Sequence, residues 1–475
     1  KIKHDVGVND PWLWYCAADV VAVPSLTEGL GLSAIEALST GCPVVATDVG
    51  GLPEVITDDS LGTCVNAGDV TALASAINHQ LTTGRGSATA EEKRRAYVAA
   101  GIPATQSIIY WRIGFSVGDQ VVLVELPKDG GFESVLILRD IEMDRARQFA
   151  RVDRVACPAD FAPAGGLSGD RETANAQAAA ECLRRAGVTH VVGDRSLPLL
   201  VVDQIRRVGI DVACEPDRWV NERRQKSPEE IAHLREAQRV TEGAILLACE
   251  TIARATARAD GVLLHEGSPL TSERVRTLVD RWLLDQGFTN PKSIIAGGPG
   301  AADCHFYGYG ELRTGQPVIV DIFPRDGRTR YNGDCTRTVV HGDIPDEVKR
   351  MHAAVRAAKA AAESVIKVGA TGEAVHRATV QAMLDAGYGW GLPKADSPLS
   401  YCAITHGTGH GIGIDVHEPP LLDLKGPPLL AGEALTVEPG LYRRDLGGVR
   451  IEDMVIVTET GFENLNRLGD GLSWK

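Results

Sequence analysis

Residues 406–420 read His-Gly-Thr-Gly-His-Gly-Ile-Gly-Ile-Asp-Val-His-Glu-Pro-Pro, and they hold three of the chain's 12 histidines. The first two histidines are four residues apart, a spacing at which a helix would present both to one metal ion. Each glycine of the segment would cost a helix roughly 1 kcal/mol relative to alanine. We therefore predict an extended strand or loop whose backbone passes close to its neighbours. A helical zinc protease is disfavoured, and any metal bound here takes its other ligands from elsewhere in the chain.

The composition indicates an acidic protein of several domains. The chain has 475 residues and a formal net charge of −14, which argues against nucleic acid or an anionic membrane as a partner. Its 10 cysteines are scattered without a Cys-x-x-Cys pair, as in proteins of a reducing compartment. No apolar run approaches the ~18 residues of a membrane span, and the first residues do not resemble a signal peptide. We expect a soluble, cytoplasmic protein.

Strand-like and helix-like segments alternate over the first half of the chain. Residues 11–85 contain apolar strands at 19–25 and 43–47 and a helix from about 70 to 81. A small, polar linker at 84–93 precedes a second alternating region, 90–222. Both regions are predicted to be α/β.

The first of these blocks resembles the C-terminal half of the sugar-nucleotide domain of retaining glycosyltransferases. Glu28 and Glu36 match that family's paired glutamates, and the glycines between them allow close approach to a nucleotide sugar. The acceptor domain and the upstream basic residues that hold the diphosphate in that family are missing. The favoured interpretation is therefore an appended block, with glycosyltransfer as a minor alternative.

Four carboxylates beyond residue 223 lie in apolar, strand-like surroundings: Asp321, Asp334, Glu438 and Glu452. Burying an ionised carboxylate without a partner is costly, so these groups are predicted to be paired, protonated or metal-bound. Together they carry about −4, which two divalent cations would balance. Oxygen-rich ligation with one imidazole suits Mn²⁺, Co²⁺, Zn²⁺ or Fe²⁺. Two such ions can activate a water and polarise the bond under attack, which points to a dinuclear hydrolase.

Residues 223–475 resemble the pita-bread metallopeptidases, which include methionine aminopeptidase, aminopeptidase P, prolidase and the metal-free creatinase. The family's ligand order is Asp, Asp, His, Glu, Glu, and its places are filled here by Asp321, Asp334, His410, Glu438 and Glu452. The resemblance implies that Asp334 and Glu452 bridge two metal ions. It also implies that Asp321 holds one ion and that His410 and Glu438 hold the other, with Glu438 shuttling the proton.

Four further positions match the family outside the ligand set. His417 matches the histidine that steadies the substrate carbonyl, and His305 matches the histidine upstream of the first aspartate. His406 and Arg450 match substrate-side positions of the proline-handling branch. In that branch a preceding α/β domain helps to close the site and to build dimers, so the resemblance implies a homodimer.

The sequence thus predicts α/β N-terminal segments followed by an α+β pita-bread catalytic domain, with boundaries at 1–85, 90–222 and 223–475. The predicted activity is hydrolysis of Xaa-Pro bonds in peptides or dipeptides by two divalent metal ions, with Mn²⁺ preferred over Co²⁺, Zn²⁺ or Fe²⁺. Hydrolysis of another C–N bond in a small molecule is the alternative on the same site. A non-catalytic binding protein is a further alternative, against which the complete ligand set argues.

Overall fold

The computed structural model describes residues 15, 18, 20–40, 42–57, 61–83, 95–128 and 131–474. The predicted linker at 84–93 lies outside the described residues. By contact density the chain divides into two units, residues 1–101 with 119–214 and residues 102–118 with 215–475. The finer division at 1–85, 90–222 and 223–475 stays a prediction.

The first unit begins with a three-stranded parallel sheet in the order β1 (Val21–Val23), β2 (Val44–Thr47) and β3 (Gly62–Val65). Its helices are α1 (Leu32–Ser39), α2 (Leu52–Val55) and α3 (Val70–Thr83). Apolar side chains of β2 pack with Ala34 and Leu52 in one buried cluster. The predicted α/β alternation and the helix near 70–81 are confirmed.

A second sheet of six strands completes the first unit. Its strands are β4 (Arg95–Gly101), β5 (Val121–Lys128), β6 (Gly131–Ile137), β7 (Arg154–Ala156), β8 (His190–Gly193) and β9 (Asp211–Cys214), in the order β7-β6-β5-β4-β8-β9. The helices in this stretch are α4 (Ser107–Ile113), which belongs to the second unit, α5 (Met143–Phe149), α6 (Arg171–Arg185) and α7 (Leu199–Arg207).

The remaining helices all belong to the second unit. They are α8 (Val220–Arg224), α9 (Pro228–Ala253), α10 (Ser272–Asp285), α11 (Asp346–Val365) and α12 (Gly372–Asp385). Helix α9 starts at a capping box: Ser227 Oγ accepts the Glu230 N–H at 3.2 Å, and the Glu230 carboxylate accepts the Ser227 N–H at 2.7 Å. Among the helices of the described residues, none has the length and apolar character needed to cross a membrane.

Short strands connect and flank these helices. They are β10 (Thr256–Ala257), β11 (Leu263–His265), β12 (Ser268–Pro269), β13 (Phe288–Thr289), β14 (Ile294–Gly297), β15 (Pro317–Ile322), β16 (Arg325–Asp326), β17 (Cys335–Val340), β18 (Gly389–Trp390), β19 (Cys402–Ile404), β20 (Gly409–Gly411), β21 (Glu418–Leu422), β22 (Ala434–Val437), β23 (Gly440–Arg443), β24 (Gly447–Arg450), β25 (Asp453–Thr458) and β26 (Gly461–Asn464). Three of their sheets carry the site, in the orders β14-β15-β17, β18-β19-β23-β24 and β21-β20-β22-β25-β26.

Strand β15 presents one face to helices and the opposite face to a smaller buried cluster that includes Ile319. Val318, Val320 and Ile322 of β15 join α9 and α10 in the largest buried cluster. Successive side chains of a strand point to opposite faces, so Asp321 points away from that cluster. This alternation is why an aspartate lies in an otherwise apolar strand.

Candidate metal centre

One cavity of about 410 Å³ in the second unit collects every side chain that the sequence predicts to bind metal or substrate in the pita-bread domain. The predicted residues that line it are His305, Asp321, Asp334, His406, His410, His417, Glu438, Arg450 and Glu452. They come from segments up to 147 positions apart in the chain, from 305 to 452. The cavity therefore exists only in the folded protein.

The two aspartates come from neighbouring strands. Asp321 lies in β15 opposite Thr336 of β17, and Asp334 immediately precedes β17. The Gln238 side chain accepts the Asp334 N–H at 2.9 Å and donates to its carbonyl at 2.8 Å. Helix α9 thus fixes the backbone of Asp334, although the sequence places that residue inside the strand.

His410 lies in β20, within the extended glycine-rich segment that the sequence predicts. A Cβ on Gly409 would lie 2.0 Å from the Thr436 carbonyl oxygen, and one on Gly411 would lie 2.3 Å from the Pro419 carbonyl oxygen. Glycine is needed at both positions because a side chain would collide with neighbouring backbone. The close approach brings His410 up to the carboxylates.

The two glutamates lie at strand ends rather than inside strands. Glu438 follows β22 and donates its N–H to the Thr408 carbonyl at 2.8 Å. Glu452 lies between β24 and β25, and its N–H donates to the Thr336 carbonyl at 3.0 Å. Thr336 also donates its hydroxyl to the Glu452 carboxylate at 2.7 Å. Both glutamates are thereby tied to adjacent strands.

Asp334, His410 and Glu452 form a group that could hold a metal ion. One ligand atom from each lies within 4.8 Å of the others, and all three side chains are buried. His410 Nε2 is 3.9 Å from Asp334 Oδ2 and 3.5 Å from Glu438 Oε1. His410 Nδ1 is hydrogen-bonded to the Gly411 carbonyl oxygen at 3.0 Å. The other ring nitrogen, Nε2, therefore faces the carboxylates.

The electrostatics of the group indicate a deficit of positive charge. Burial and the nearby Glu452 and Asp321 carboxylates raise the pKa of Asp334 well above its usual range. Burial and the Glu438 and Asp321 carboxylates do the same to the pKa of Glu452. Burial raises the pKa of Glu438 to about 7. Burial lowers the pKa of His410 to about 4, which keeps its ring neutral and able to act as a ligand.

Asp321 differs from the other carboxylates because it has a charged partner. Arg450 Nη2 donates to Asp321 Oδ2 at 2.6 Å. The other oxygen, Oδ1, is buried and has no hydrogen-bond partner among the described residues. A buried acceptor without a partner is costly unless something else binds it. An unpaired carboxylate oxygen on a residue that lines the same cavity as Asp334, His410 and Glu452 fits a divalent metal site.

A hydroxyl that sequence reasoning missed connects two of the predicted residues. Tyr442 OH accepts from Arg450 Nη1 at 2.9 Å and is bonded to His406 Nε2 at 2.7 Å. The available signal was its place in a buried strand, where a phenol hydroxyl needs a partner. Burial and the nearby Arg450 lower the pKa of His406 to about 3. The His406 ring is therefore neutral.

His417 and His305 complete the polar lining of the cavity. The His417 ring lies edge-on to that of His410, with 4.3 Å between centroids and 79° between planes. Burial and the nearby His305 lower the pKa of His417. A neutral imidazole beside the carboxylate cluster can donate a hydrogen bond to a carbonyl oxygen in the cavity.

Comparison with protein families bears directly on this arrangement. Residues 232–459, which include every predicted ligand, match the model of metallopeptidase family M24. This part of the second unit is thus similar to the M24 metallopeptidases. The resemblance inferred from the ligand order is thereby confirmed.

Two relatives of this region illustrate the similarity. The probable dipeptidase PepE of Mycobacterium tuberculosis is 38% identical over 179 residues, which cover 36% of this chain and 43% of that protein. The Xaa-Pro dipeptidase of Pyrococcus furiosus is 28% identical over 246 residues, which cover 51% of this chain and 63% of that protein. The aligned part thus spans well under two thirds of the PepE sequence.

The structural similarity covers more of the chain than the sequence similarity does. The Xaa-Pro dipeptidase of Bacillus anthracis superposes with a TM-score of 0.65 at 22% identity, covering 79% of this chain and 94% of that structure. This likeness confirms the predicted α+β pita-bread fold, preceded by α/β segments.

The first residues of the chain match a different protein family. Residues 4–83 match a family model described as glycosyl transferases group 1, which agrees with the resemblance of the first block. The Glu28 carboxylate accepts from Ser25 Oγ and from the Gly29 N–H, each at 3.1 Å. Glu36 lies in α1 with its side chain exposed.

Proposed function

We propose that this protein is a two-metal exopeptidase that hydrolyses Xaa-Pro bonds, either at the N-terminus of peptides or in dipeptides. The observation that carries the proposal is the convergence of an Asp, Asp, His, Glu, Glu set with His417 and Arg450 on one cavity of this M24-like part of the chain. A proline nitrogen carries no N–H and its ring fixes the backbone, so such bonds need a dedicated site. One relative is named a probable dipeptidase and the other an Xaa-Pro dipeptidase, and the second name supports Xaa-Pro substrates.

In this proposal Asp334 and Glu452 would be shared by the two metal ions, Asp321 would hold one of them, and His410 and Glu438 would hold the other. Support comes from the close approach of the Asp334, His410 and Glu452 donor atoms and from the orphaned Asp321 Oδ1. Mn²⁺ is the proposed metal, with Co²⁺, Zn²⁺ or Fe²⁺ as alternatives, since oxygen-rich ligation with one imidazole suits each. When bound, the pair of ions supplies an activated water and Lewis-acid polarisation of the scissile carbonyl.

Glu438 carries the proton in the proposed mechanism. Burial raises the pKa of Glu438 to about 7 without metal, and cations in the centre would lower it, so the carboxylate would be ionised and able to accept a proton. The Thr408 carbonyl holds its backbone, so the carboxyl faces the cavity. Glu438 takes the proton of the attacking water and passes it to the proline nitrogen as the bond breaks.

The remaining side chains orient substrate and ligands. His417 donates to the scissile carbonyl oxygen as negative charge develops on it. Arg450 holds Asp321 Oδ2 at 2.6 Å, which directs the free Oδ1 into the centre. His406, joined to Arg450 through Tyr442, lines the substrate side, and His305 assists His417.

The test of the proposal is peptide hydrolysis by protein with a measured metal complement. Xaa-Pro peptides are expected to be cleaved with Mn²⁺, and chelation is expected to abolish cleavage. Glycine in place of proline gives the control peptides. A fully loaded protein that leaves every Xaa-Pro peptide intact but hydrolyses another C–N bond would favour the alternative reaction.

We further propose that the protein works in the cytoplasm as a homodimer. The scattered single cysteines support a reducing compartment. Sedimentation at micromolar concentration, with and without Mn²⁺, measures the oligomeric state directly.

A further inference from the structure

Asp423 is a carboxylate of the cavity that belongs to neither the predicted ligands nor their hydrogen-bond partners. It follows β21 and lines the cavity beside Gly407, with its side chain 44% exposed. A Cβ on Gly407 would lie 3.3 Å from Asp423 Oδ2. One oxygen of Asp423 therefore lies against the cavity wall, within reach of a ligand.

The position of Asp423 is set from a neighbouring helix. His376 of α12 is 2% exposed, and its Nε2 lies 3.5 Å from Asp423 Oδ1. His376 Nδ1 is bonded to Thr408 Oγ1 at 3.0 Å, which fixes the ring. The Leu424 N–H donates to Asp423 Oδ1 at 2.7 Å. These contacts engage Oδ1 and leave Oδ2 to the cavity.

No lysine or arginine neutralises this carboxylate within the described part of the chain, where its ion-pairing partner is His376. Burial lowers the pKa of His376, so the ring is neutral at neutral pH. Arg450 is the guanidinium that lines the cavity, and it donates to Thr336, Cys304, Tyr442 and Asp321 at distances from 2.6 to 3.3 Å. Asp423 is thus a negative charge that lacks a cation.

Apolar surface lies next to the carboxylate. Leu421 lines the cavity and is 56% exposed. Trp390 is 46% exposed and lies near His376, with 6.1 Å between ring centroids. An aliphatic stem that ends in a positive charge fits a surface of this kind, because the stem covers apolar area while the charge reaches the carboxylate.

We propose that Asp423, held by His376 and flanked by Leu421, is a specificity-determining residue that selects peptides with a lysine or arginine side chain near the scissile Xaa-Pro bond. This inference rests on the proposed peptidase function. The same carboxylate disfavours peptides that bring a negative charge to that place, since the pocket offers no free cation in compensation.

The test compares wild type with Asp423→Asn on matched peptides. Lysine, glutamine or glutamate is placed either as the N-terminal Xaa or directly after the proline, and kcat/KM is measured for each. In one of the two series we expect the wild type to cleave the lysine peptide with a kcat/KM about three- to fivefold higher than that of the glutamine peptide. A factor of this size is typical of a partly exposed ion pair. Asp423→Asn is expected to remove that preference and to raise kcat/KM for the glutamate peptide.

Asp385→Asn is the matched control, because it removes an equal charge from the exposed end of the helix that carries His376. It should leave the lysine-to-glutamine ratio as in the wild type. Calorimetric binding of the same peptides to metal-loaded protein gives a readout without turnover. If the protein binds the peptides but cleaves none, the proposed function fails while the ratio of affinities still tests Asp423. Equal ratios for wild type and Asp423→Asn in both series would overturn the inference.

Discussion

The buried surroundings of Asp334, Glu438 and Glu452 favour the protonated form of each carboxyl group. Burial raises the pKa values of Asp334, Glu438 and Glu452, and mutual repulsion adds to the shift for Asp334 and Glu452. Each group can ionise at low cost only when positive charge enters the cavity. The residue chemistry therefore couples metal binding to proton release.

The metal-free protein is expected to lose the stabilising contribution of Glu438 as the pH rises from about 4.5 to about 7. Carboxyls with raised pKa values hold protons more tightly in the folded state than in the unfolded state. Their stabilising contribution is full below the unfolded value of 4.5 for Glu438 and is lost as the pH passes the folded value of about 7. His410 changes the stability in the opposite direction over part of this range, because its pKa falls from 6.5 to about 4 on folding. Comparing protein with and without metal removes the contribution of the unfolded state, which the two series share.

Thermal unfolding measures this effect, with chelator in one series and Mn²⁺ in the other. The gain in Tm on adding Mn²⁺ should widen with pH across the window. A gain that stays constant or narrows across the window would show that the carboxyls are already ionised without metal.

His417→Gln should lower kcat/KM for an Xaa-Pro peptide by about 10²-fold, the size expected when one donor to the developing oxyanion is removed. Metal content should stay at the wild-type value, because His417 is not among the proposed ligands. Elemental analysis beside the kinetics separates the two roles. Loss of metal from this variant would move His417 into the ligand set.

At the scale of elements, the site depends on strands that approach more closely than side chains normally allow. Gly409→Ala would place a Cβ 2.0 Å from the Thr436 carbonyl oxygen, across the contact between β20 and β22. Because backbone rather than a flexible side chain lies in the way, we expect a loss of about 1–3 kcal/mol in the free energy of unfolding. Urea denaturation measures the loss.

Gly461→Ala provides the control for that substitution. Gly461 begins β26, and a Cβ there would meet no atom within 4 Å. Its effect should stay within about 0.5 kcal/mol. Equal losses for the two variants would show that the tight approach of β20 is unimportant.

Strand and helix positions could be predicted better than the contacts between them. The helix start at Ser227 follows from local chemistry, and the extended form of residues 406–420 follows from the cost of glycine in a helix. The roles of Tyr442 and Asp423 could not be found in this way. Their partners, Arg450 and His376, come from other elements and meet them only after the sheets have packed.

At the scale of the second unit, a buried arginine ties the end of the chain to the strands of the site. Arg337 is 1% exposed and donates to the carbonyls of Glu452, Leu468 and Gly469 and to the Asp453 carboxylate. Arg337→Met leaves those acceptors without their donor. We expect a loss of about 3–5 kcal/mol in the free energy of unfolding, the cost of breaking a buried ion pair.

Arg356→Met is the control for Arg337→Met. Arg356 pairs with Asp470 at 3.0 Å, but its side chain is 59% exposed. Its loss should cost no more than about 1 kcal/mol. Similar costs for the two variants would contradict a structural role for Arg337.

The proposed function requires two metal ions in the cavity, and elemental analysis of the purified protein beside Asp334→Ala measures their number. Wild type is expected to bind about two divalent ions per chain. Asp334→Ala removes the proposed bridging carboxylate and is expected to lose at least one of them, with an unchanged circular dichroism spectrum as evidence of folding. Unchanged metal content in the folded variant would contradict the two-metal centre as assigned.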